Sequence, residues 1–165
     1  MDYTIKPATA ADEPFLWEML HYAAHVDEDE DAPAPAENPA LRPYIEGWGR
    51  AGDLGYVAVS GASNDRVGAA WARPLPATYD IYRVVPEGTP ELAIAVRPDA
   101  LGRGIGTALL RQLLEEAPDG PIALTVRRGN PAARLYERLG FRTVGEITNR
   151  VGTVSDVMVA GLDDG

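Results

Sequence analysis

The chain has no cysteine among its 165 residues. Disulfides, thiolate metal sites and cysteine-linked covalent intermediates are therefore excluded within it. Histidine is nearly as scarce, with only His21 and His25. They stand four apart on an expected helix, a spacing that metal ligands can use. No Glu occupies position 22 and no third ligand is placed, so no metal is expected. Ser60, Ser63 and Ser155 lie in no G-x-S-x-G elbow. No apolar run reaches the length of a membrane span, and no signal-peptide pattern opens the chain; the expectation is a cytoplasmic protein without membrane attachment. Positive charge is also short, with Lys+Arg 15 against Asp+Glu 25 and a net charge of −10. Phosphate backbones and anionic headgroups both call for basic surface, so neither nucleic acid nor membrane is an expected partner.

What is present fits one domain spanning 1–165, with a core of ordinary size. Its acid excess is uneven. Residues 1–83 carry 14 acidic and 6 basic side chains, whereas residues 84–165 carry 11 and 9. Within 97–142, eight arginines stand against five acids. The first half suits a cationic partner and the second an anion.

Hydrophobic periodicity predicts an α/β chain. Strands are expected at 3–7, 54–60, 67–73, 91–96, 122–126, 141–144 and 154–159, with 54–60 and 67–73 as an antiparallel hairpin. Helices are expected from Asp12 to about His25, from Ala40 to Arg50, from Gly104 to Glu116 and from Asn130 to Leu139. The last has Asn130 as N-cap, Pro131 at its first position and Gly140 to end it. Five consecutive acids, Asp27 to Asp31, followed by Pro33, Pro35 and Pro39, read as a solvated loop. Trp17, Trp48 and Trp71 read as core or cleft-wall residues. The fold class is a central mixed β-sheet flanked by about four helices.

Two stretches carry chemistry. In Val96-Arg97-Pro98-Asp99-Ala100-Leu101-Gly102-Arg103-Gly104-Ile105-Gly106-Thr107, a strand enters a glycine-rich turn that opens a helix. Glycines there let backbone N–H groups approach a ligand, and the helix start offers unpaired donors at the positive end of its dipole. A phosphate or pyrophosphate is the natural occupant. Thr at position 107 and the absence of Gly-Lys-Ser/Thr remove the dinucleotide and Walker readings. The second stretch is Asn130-Pro131-Ala132-Ala133-Arg134-Leu135-Tyr136-Glu137-Arg138-Leu139-Gly140-Phe141. Alone it is a capped helix with an aromatic at the core edge.

Together the two stretches resemble the GNAT (general-control-type N-acetyltransferase) superfamily, with its V-x-P-x-x-R-G-x-G-I-G and N-x-x-A-x-x-L-Y-E-x-x-G-F motifs in the same order. The resemblance is close over about 91–142. It implies acetyl-CoA as cosubstrate, with the pyrophosphate on the backbone of Gly102, Arg103, Gly104, Ile105, Gly106 and Thr107, and Arg103 adding charge. It implies that Ile94, Ala95 and Val96 offer main-chain groups to the pantetheine arm and an N–H to the thioester oxygen. Asn130 matches a position that contacts the same arm. Tyr136 matches the tyrosine placed beside the thioester sulfur, where it can protonate the leaving thiolate. Leu101 departs from the usual Arg or Gln, which removes a side-chain contact and leaves main-chain binding to carry the phosphates.

Attack by an amine also needs a base, and Glu91, which opens the central strand and resembles an acid found there in the family, is the candidate. Glu91, Ala93 and Ala95 share one strand face; Tyr79, Asp80 and Tyr82 are rival contributors. An acidic wall at Asp27 to Asp31 would draw cationic amines. The expected activity is direct acetyl transfer to a primary amine in a ternary complex. The alternative is a non-catalytic acyl-CoA-binding sensor. A homodimer is compatible with the resemblance.

Overall fold

The computed structural model describes residues 2–24, 31–117, 120–148 and 152–161. In chain order these form β1 (Tyr3–Pro7), α1 (Glu13–Ala23), β2 (Leu54–Ser60), β3 (Arg66–Pro74), β4 (Pro90–Val96), α2 (Ile105–Glu116), β5 (Ile122–Arg127), α3 (Ala132–Arg138), β6 (Arg142–Thr148) and β7 (Val154–Ala160). The strands make one mixed sheet in the order β1-β2-β3-β4-β5-β7-β6. All seven expected strands are present, as is the antiparallel β2–β3 hairpin. Contacts divide the chain into two compact units, Met1–Arg73 with Ala93–Ala117, and Pro74–Leu92 with Pro118–Gly165.

In the first unit, the entry to α1 is fixed by a capping box in which the Thr9 N–H donates to Asp12 Oδ2 at 2.7 Å. The periodic apolar face then buries Phe15, Leu16, Met19 and Leu20 against Val57, Val59, Ala69 and Trp71 of the hairpin. Each such side chain contributes about 1.5–3 kcal/mol over its exposed state. Trp48 and Trp71 are core residues, and Trp17 packs at the core's edge.

The helix expected from Ala40 to Arg50 does not form. A 3₁₀ turn at Arg42–Tyr44 is followed by turns through Gly47, whose φ is +69°. The cause is tertiary. Arg73, 1% exposed, donates from Nη1 to the carbonyls of Pro43 (3.2 Å) and Glu46 (2.8 Å), which a helix would have bonded four residues on. Its Nε and Nη2 grip the Asp53 carboxylate at 3.0 and 2.6 Å, and its guanidinium lies 5.3 Å from the Trp48 ring centre. One buried guanidinium thus organises the whole segment. Among the described residues the α-helices are therefore three rather than about four.

This pair has a pH consequence. Burial raises the Asp53 carboxyl, but the Arg73 hydrogen bond and charge and the amides of Gly49 and Arg50 outweigh it, so Asp53 titrates below its ordinary 3.8. A carboxyl lowered by folding stabilises fully above its unfolded value and loses that contribution as pH falls through the folded one. Asp53→Asn should cost about 1–3 kcal/mol at neutral pH. It should also lose less stability than the native chain as pH drops below 3.8, read by circular dichroism during acid unfolding. Parallel acid profiles would remove Asp53 from the acid response.

In the second unit, β7 pairs antiparallel with both β5 and β6. Ala123, Val157 and Val159 form its core with Ile81 and Val85 from the segment before β4, and Tyr79, Tyr82, Val84 and Ile147 pack against it. Arg128 joins Glu146 and Asp156 at the ends of the three strands.

Candidate functional site

The glycine-rich turn is built as its composition requires. Pro98–Ala100 makes a 3₁₀ turn whose Ala100 is buried, while Leu101 is 63% exposed. Gly102 and Gly104 follow with φ of +79° and +78°, the left-handed region where a side chain is costly. Gly104 is the N-cap of α2, and the space a Cβ would enter at either glycine is open. The first intrahelical bond runs from the Ala108 N–H to the Gly104 carbonyl, so the N–H groups of Ile105, Gly106 and Thr107 lie ahead of that ladder. Ile105 is 1% exposed and anchors the helix, leaving only its main chain for a ligand. A Cβ at Gly106 would lie 3.8 Å from Val96 and 3.9 Å from Ile94, which sets the start of α2 against the end of β4.

The strand alternates as expected. Ile94 and Val96 face α2, whereas Ala93 and Ala95 pack with α1 and the hairpin. The Arg97 N–H donates to the Val67 carbonyl of β3 at 2.8 Å. Alternation then turns the main chain of Ala95 toward β3 and the N–H and C=O groups of Ile94 and Val96 toward the opposite edge. Between β4 and β5 the parallel register is the single pair Glu91 with Ala123, so Ile94 and Val96 stand outside that ladder. Polar main-chain groups at the end of a strand, beside an open glycine turn, suit an extended amide-bearing ligand.

The second motif is equally explicit. The N-cap of α3 is Pro131 rather than the expected Asn130, so the helix starts one residue later, at Ala132; Asn130 lies just before the cap, and its Oδ1 accepts from the Ala132 N–H at 2.9 Å. The helix ends in a Schellman arrangement: the Phe141 N–H donates to the Tyr136 carbonyl and the Gly140 N–H to that of Glu137, with Gly140 at φ +101°. The accompanying contact is Tyr136 against Phe141, edge to face at 6.0 Å. Burial pushes the Tyr136 hydroxyl above its ordinary 10, which keeps it protonated at neutral pH. A protonated phenol held by its helix terminus can act as a proton donor.

Glu91 is 5% exposed, a buried carboxylate at the start of β4. The rival contributors separate. Burial first, and the charge of Glu91 second, raise the Tyr79 hydroxyl. Tyr82 is engaged in the loop, accepting from the Leu75 N–H at 2.9 Å and donating to the Thr89 carbonyl at 2.8 Å. Asp80 is exposed and lies 3.7 Å from Arg83.

The basic stretch is less available than its count suggests. Arg97 is paired twice with Glu18 at 2.7 and 2.9 Å and lies over Phe15, and Arg128 is held by Glu146 and Asp156. Arg103 is exposed beside the glycine turn. His25 and the acids from Asp27 to Glu30 lie outside the described residues; Asp31 is exposed. Sequence reading missed the Tyr3 hydroxyl, which donates to the Gly104 carbonyl at 3.4 Å across 101 residues with no local signal.

The mixed sheet with a glycine N-cap at its strand–helix junction is a fold shared with solved GNAT acetyltransferase structures. Residues 17–141 match the model of the Acetyltransferase (GNAT) family, and the chain belongs to that family. It is 38% identical over 93 residues to the N-alpha-acetyltransferase RimI of Mycobacterium tuberculosis, covering 56% of this chain and 47% of that protein. The chain thus spans about half the length of that relative. A crystal structure of a histone acetyltransferase HPA2 and related acetyltransferase from Corynebacterium glutamicum superimposes with a TM-score of 0.74 at 26% identity, over 100% of this chain and 99% of that one. A phosphinothricin acetyltransferase from Sinorhizobium meliloti in complex with AcCoA gives 0.68 at 25% identity, over 100% and 91%.

Proposed function

We propose that this chain is an N-acetyltransferase that moves the acetyl group of acetyl-CoA directly to a primary amine of a small molecule or peptide, within a ternary complex in the cytoplasm. The observation that carries the reading is the open glycine N-cap of α2 beside the outward main-chain groups of Ile94 and Val96. The cosubstrate suits this place: the space beside Gly102 and Gly104 is open, and the helix start presents N–H donors to a pyrophosphate. Gly102 to Thr107 hold the phosphates, with Arg103 adding charge, and Ile94, Ala95 and Val96 with Asn130 receive the pantetheine arm. Leu101 contributes main chain only.

Acetyl-CoA supplies the acetyl group as a thioester, whose C–S bond breaks as the new C–N bond forms. A main-chain N–H at the end of β4 stabilises the carbonyl oxygen most where negative charge develops on it. Glu91 removes the ammonium proton from the acceptor, and Tyr136 gives its proton to the departing sulfur. Without cysteine, a cysteine-linked acyl intermediate is excluded. The relative from M. tuberculosis is an N-alpha-acetyltransferase, which makes peptides with an unblocked α-amino group the first acceptors to test.

Thiol release from acetyl-CoA with peptides, polyamines, aminoglycosides and amino acids tests the reading. Turnover is expected on a primary amine and not on its N-blocked counterpart. Cofactor binding with no turnover across the panel would favour the acyl-CoA sensor. Glu91→Gln should abolish the acid-side ionisation in the kcat–pH profile, because a carboxylate base gains activity as pH rises through its pKa. An unchanged acid limb would assign the base elsewhere.

A further inference from the structure

The segment between β3 and β4 has the sequence of an irregular connection, yet one oxygen closes it. The Tyr82 hydroxyl accepts from the Leu75 N–H at 2.9 Å and donates to the Thr89 carbonyl at 2.8 Å. Both ends of a fifteen-residue stretch, 75 to 89, therefore meet at a single phenol. Its middle is a 3₁₀ turn, Asp80–Arg83, from which Ile81 enters the core of the second unit with Tyr79 and Tyr82 packed beside it. Thr89 is itself 5% exposed and ties back to Pro86, its Oγ1 donating to that carbonyl at 2.7 Å and its N–H at 3.1 Å. Pro90 comes next, with a ring-fixed φ, and then Glu91. Glu91 stands opposite Ala123, and Ala123 packs in the same cluster as Tyr79 and Tyr82.

We propose that Tyr82 is a positioning residue for the Glu91 carboxylate, its hydroxyl clamping the 75–89 segment so that the backbone entering β4 sets where that carboxylate lies. The proposal rests on the reading of Glu91 as the base. Its physical content is distance: a base must lie within hydrogen-bond reach of the proton it takes, and a displacement near 1 Å costs about 10²-fold in rate. The charge of Glu91 also raises both phenols, second to burial at Tyr79 and behind burial and the opposing Leu75 hydrogen bond at Tyr82, which agrees with the shared location.

Tyr82→Phe removes both hydrogen bonds and keeps the ring in the core. Turnover with a saturating acceptor is expected to fall about tenfold or more, with the acetyl-CoA Kd unchanged within about twofold. In a Glu91→Gln background the same change should cost nothing further, because its effect passes through the carboxylate. Independently of activity, the ¹³C resonance of the Glu91 carboxyl should shift in Tyr82→Phe. Native turnover in Tyr82→Phe, or a full additional loss in the Glu91→Gln background, would overturn the proposal, as would an unmoved carboxyl resonance. If Glu91→Gln alone leaves turnover intact, the base assignment fails; the carboxyl resonance then still decides the positioning. Should Tyr82→Phe fold poorly, Thr89→Val removes the hydroxyl bond to Pro86, keeps the main-chain one, and is expected to shift the same resonance by less.

Discussion

Replacing Tyr136 by phenylalanine is expected to lower kcat by about 10²–10³-fold while leaving acetyl-CoA affinity within about twofold. The ring's position comes from features the substitution keeps. The Schellman closure uses the main chain of Tyr136, Glu137, Gly140 and Phe141, and the edge-to-face contact with Phe141 needs only the ring. Stability should therefore barely change. What disappears is a proton donor that burial holds in its protonated form above the ordinary phenol value of 10. A thiolate expelled without that proton is a poorer leaving group, and the deficit falls on the transition state rather than on binding. The sign with pH is equally defined: in the native chain the acid stays competent through neutral and mildly alkaline solution. Stopped-flow or steady-state thiol release across pH 6–9, beside calorimetric titration with acetyl-CoA, separates the quantities, the range being about four units below to one unit below the ordinary phenol value. Equal losses in kcat and affinity would make Tyr136 a structural residue.

The features legible in the sequence are those written in local chemistry. Short apolar, β-rich runs bounded by Gly, Pro, Asn and Asp marked all seven strands, because composition and bounding turn residues are both local. Gly102 and Gly104 were readable because left-handed backbone at a strand–helix junction selects glycine, and Gly140 because a helix C-terminus depends on neighbours in sequence, whereas the N-cap fell one residue beyond Asn130, at Pro131. The expected Ala40–Arg50 helix failed for the opposite reason. Its carbonyls at Pro43 and Glu46 are taken by Arg73, about thirty residues away, and no local pattern announces a guanidinium that arrives from the sheet. The Tyr82 clamp and the Tyr3 contact to Gly104 are invisible on the same ground. Charge counting misled in a related way: Arg97 and Arg128 were summed as available cations, yet each is neutralised by a carboxylate distant in sequence. Motif and cap are local, whereas the electrostatics of a site is tertiary.

Gly104→Val should abolish measurable acetyl-CoA binding, a loss of about 10³-fold or more, since several hydrogen bonds to charged groups at about 1.5–3 kcal/mol each would be blocked together. Two physical effects are combined in that substitution and have to be separated. A valine at φ +78° is strained whatever surrounds it, and its side chain also occupies the open space before the first turn of α2. Gly52 supplies the control for strain, with φ +90° and open space at its own Cβ position in a turn before β2. Gly52→Val should lower Tm comparably and leave cofactor affinity unchanged. Gly104→Asn supplies the control for occupancy, because asparagine tolerates left-handed backbone but still places a side chain in the cradle. Its stability should stay near native while acetyl-CoA binding falls by about 10-fold or more, one lost charge-assisted hydrogen bond being worth that much. Calorimetry of acetyl-CoA binding with thermal unfolding on all three variants gives the answer. If Gly104→Val binds like the native chain, the phosphates do not lie on this turn. If Gly104→Asn also binds normally while Gly104→Val merely melts earlier, the glycine serves the backbone alone.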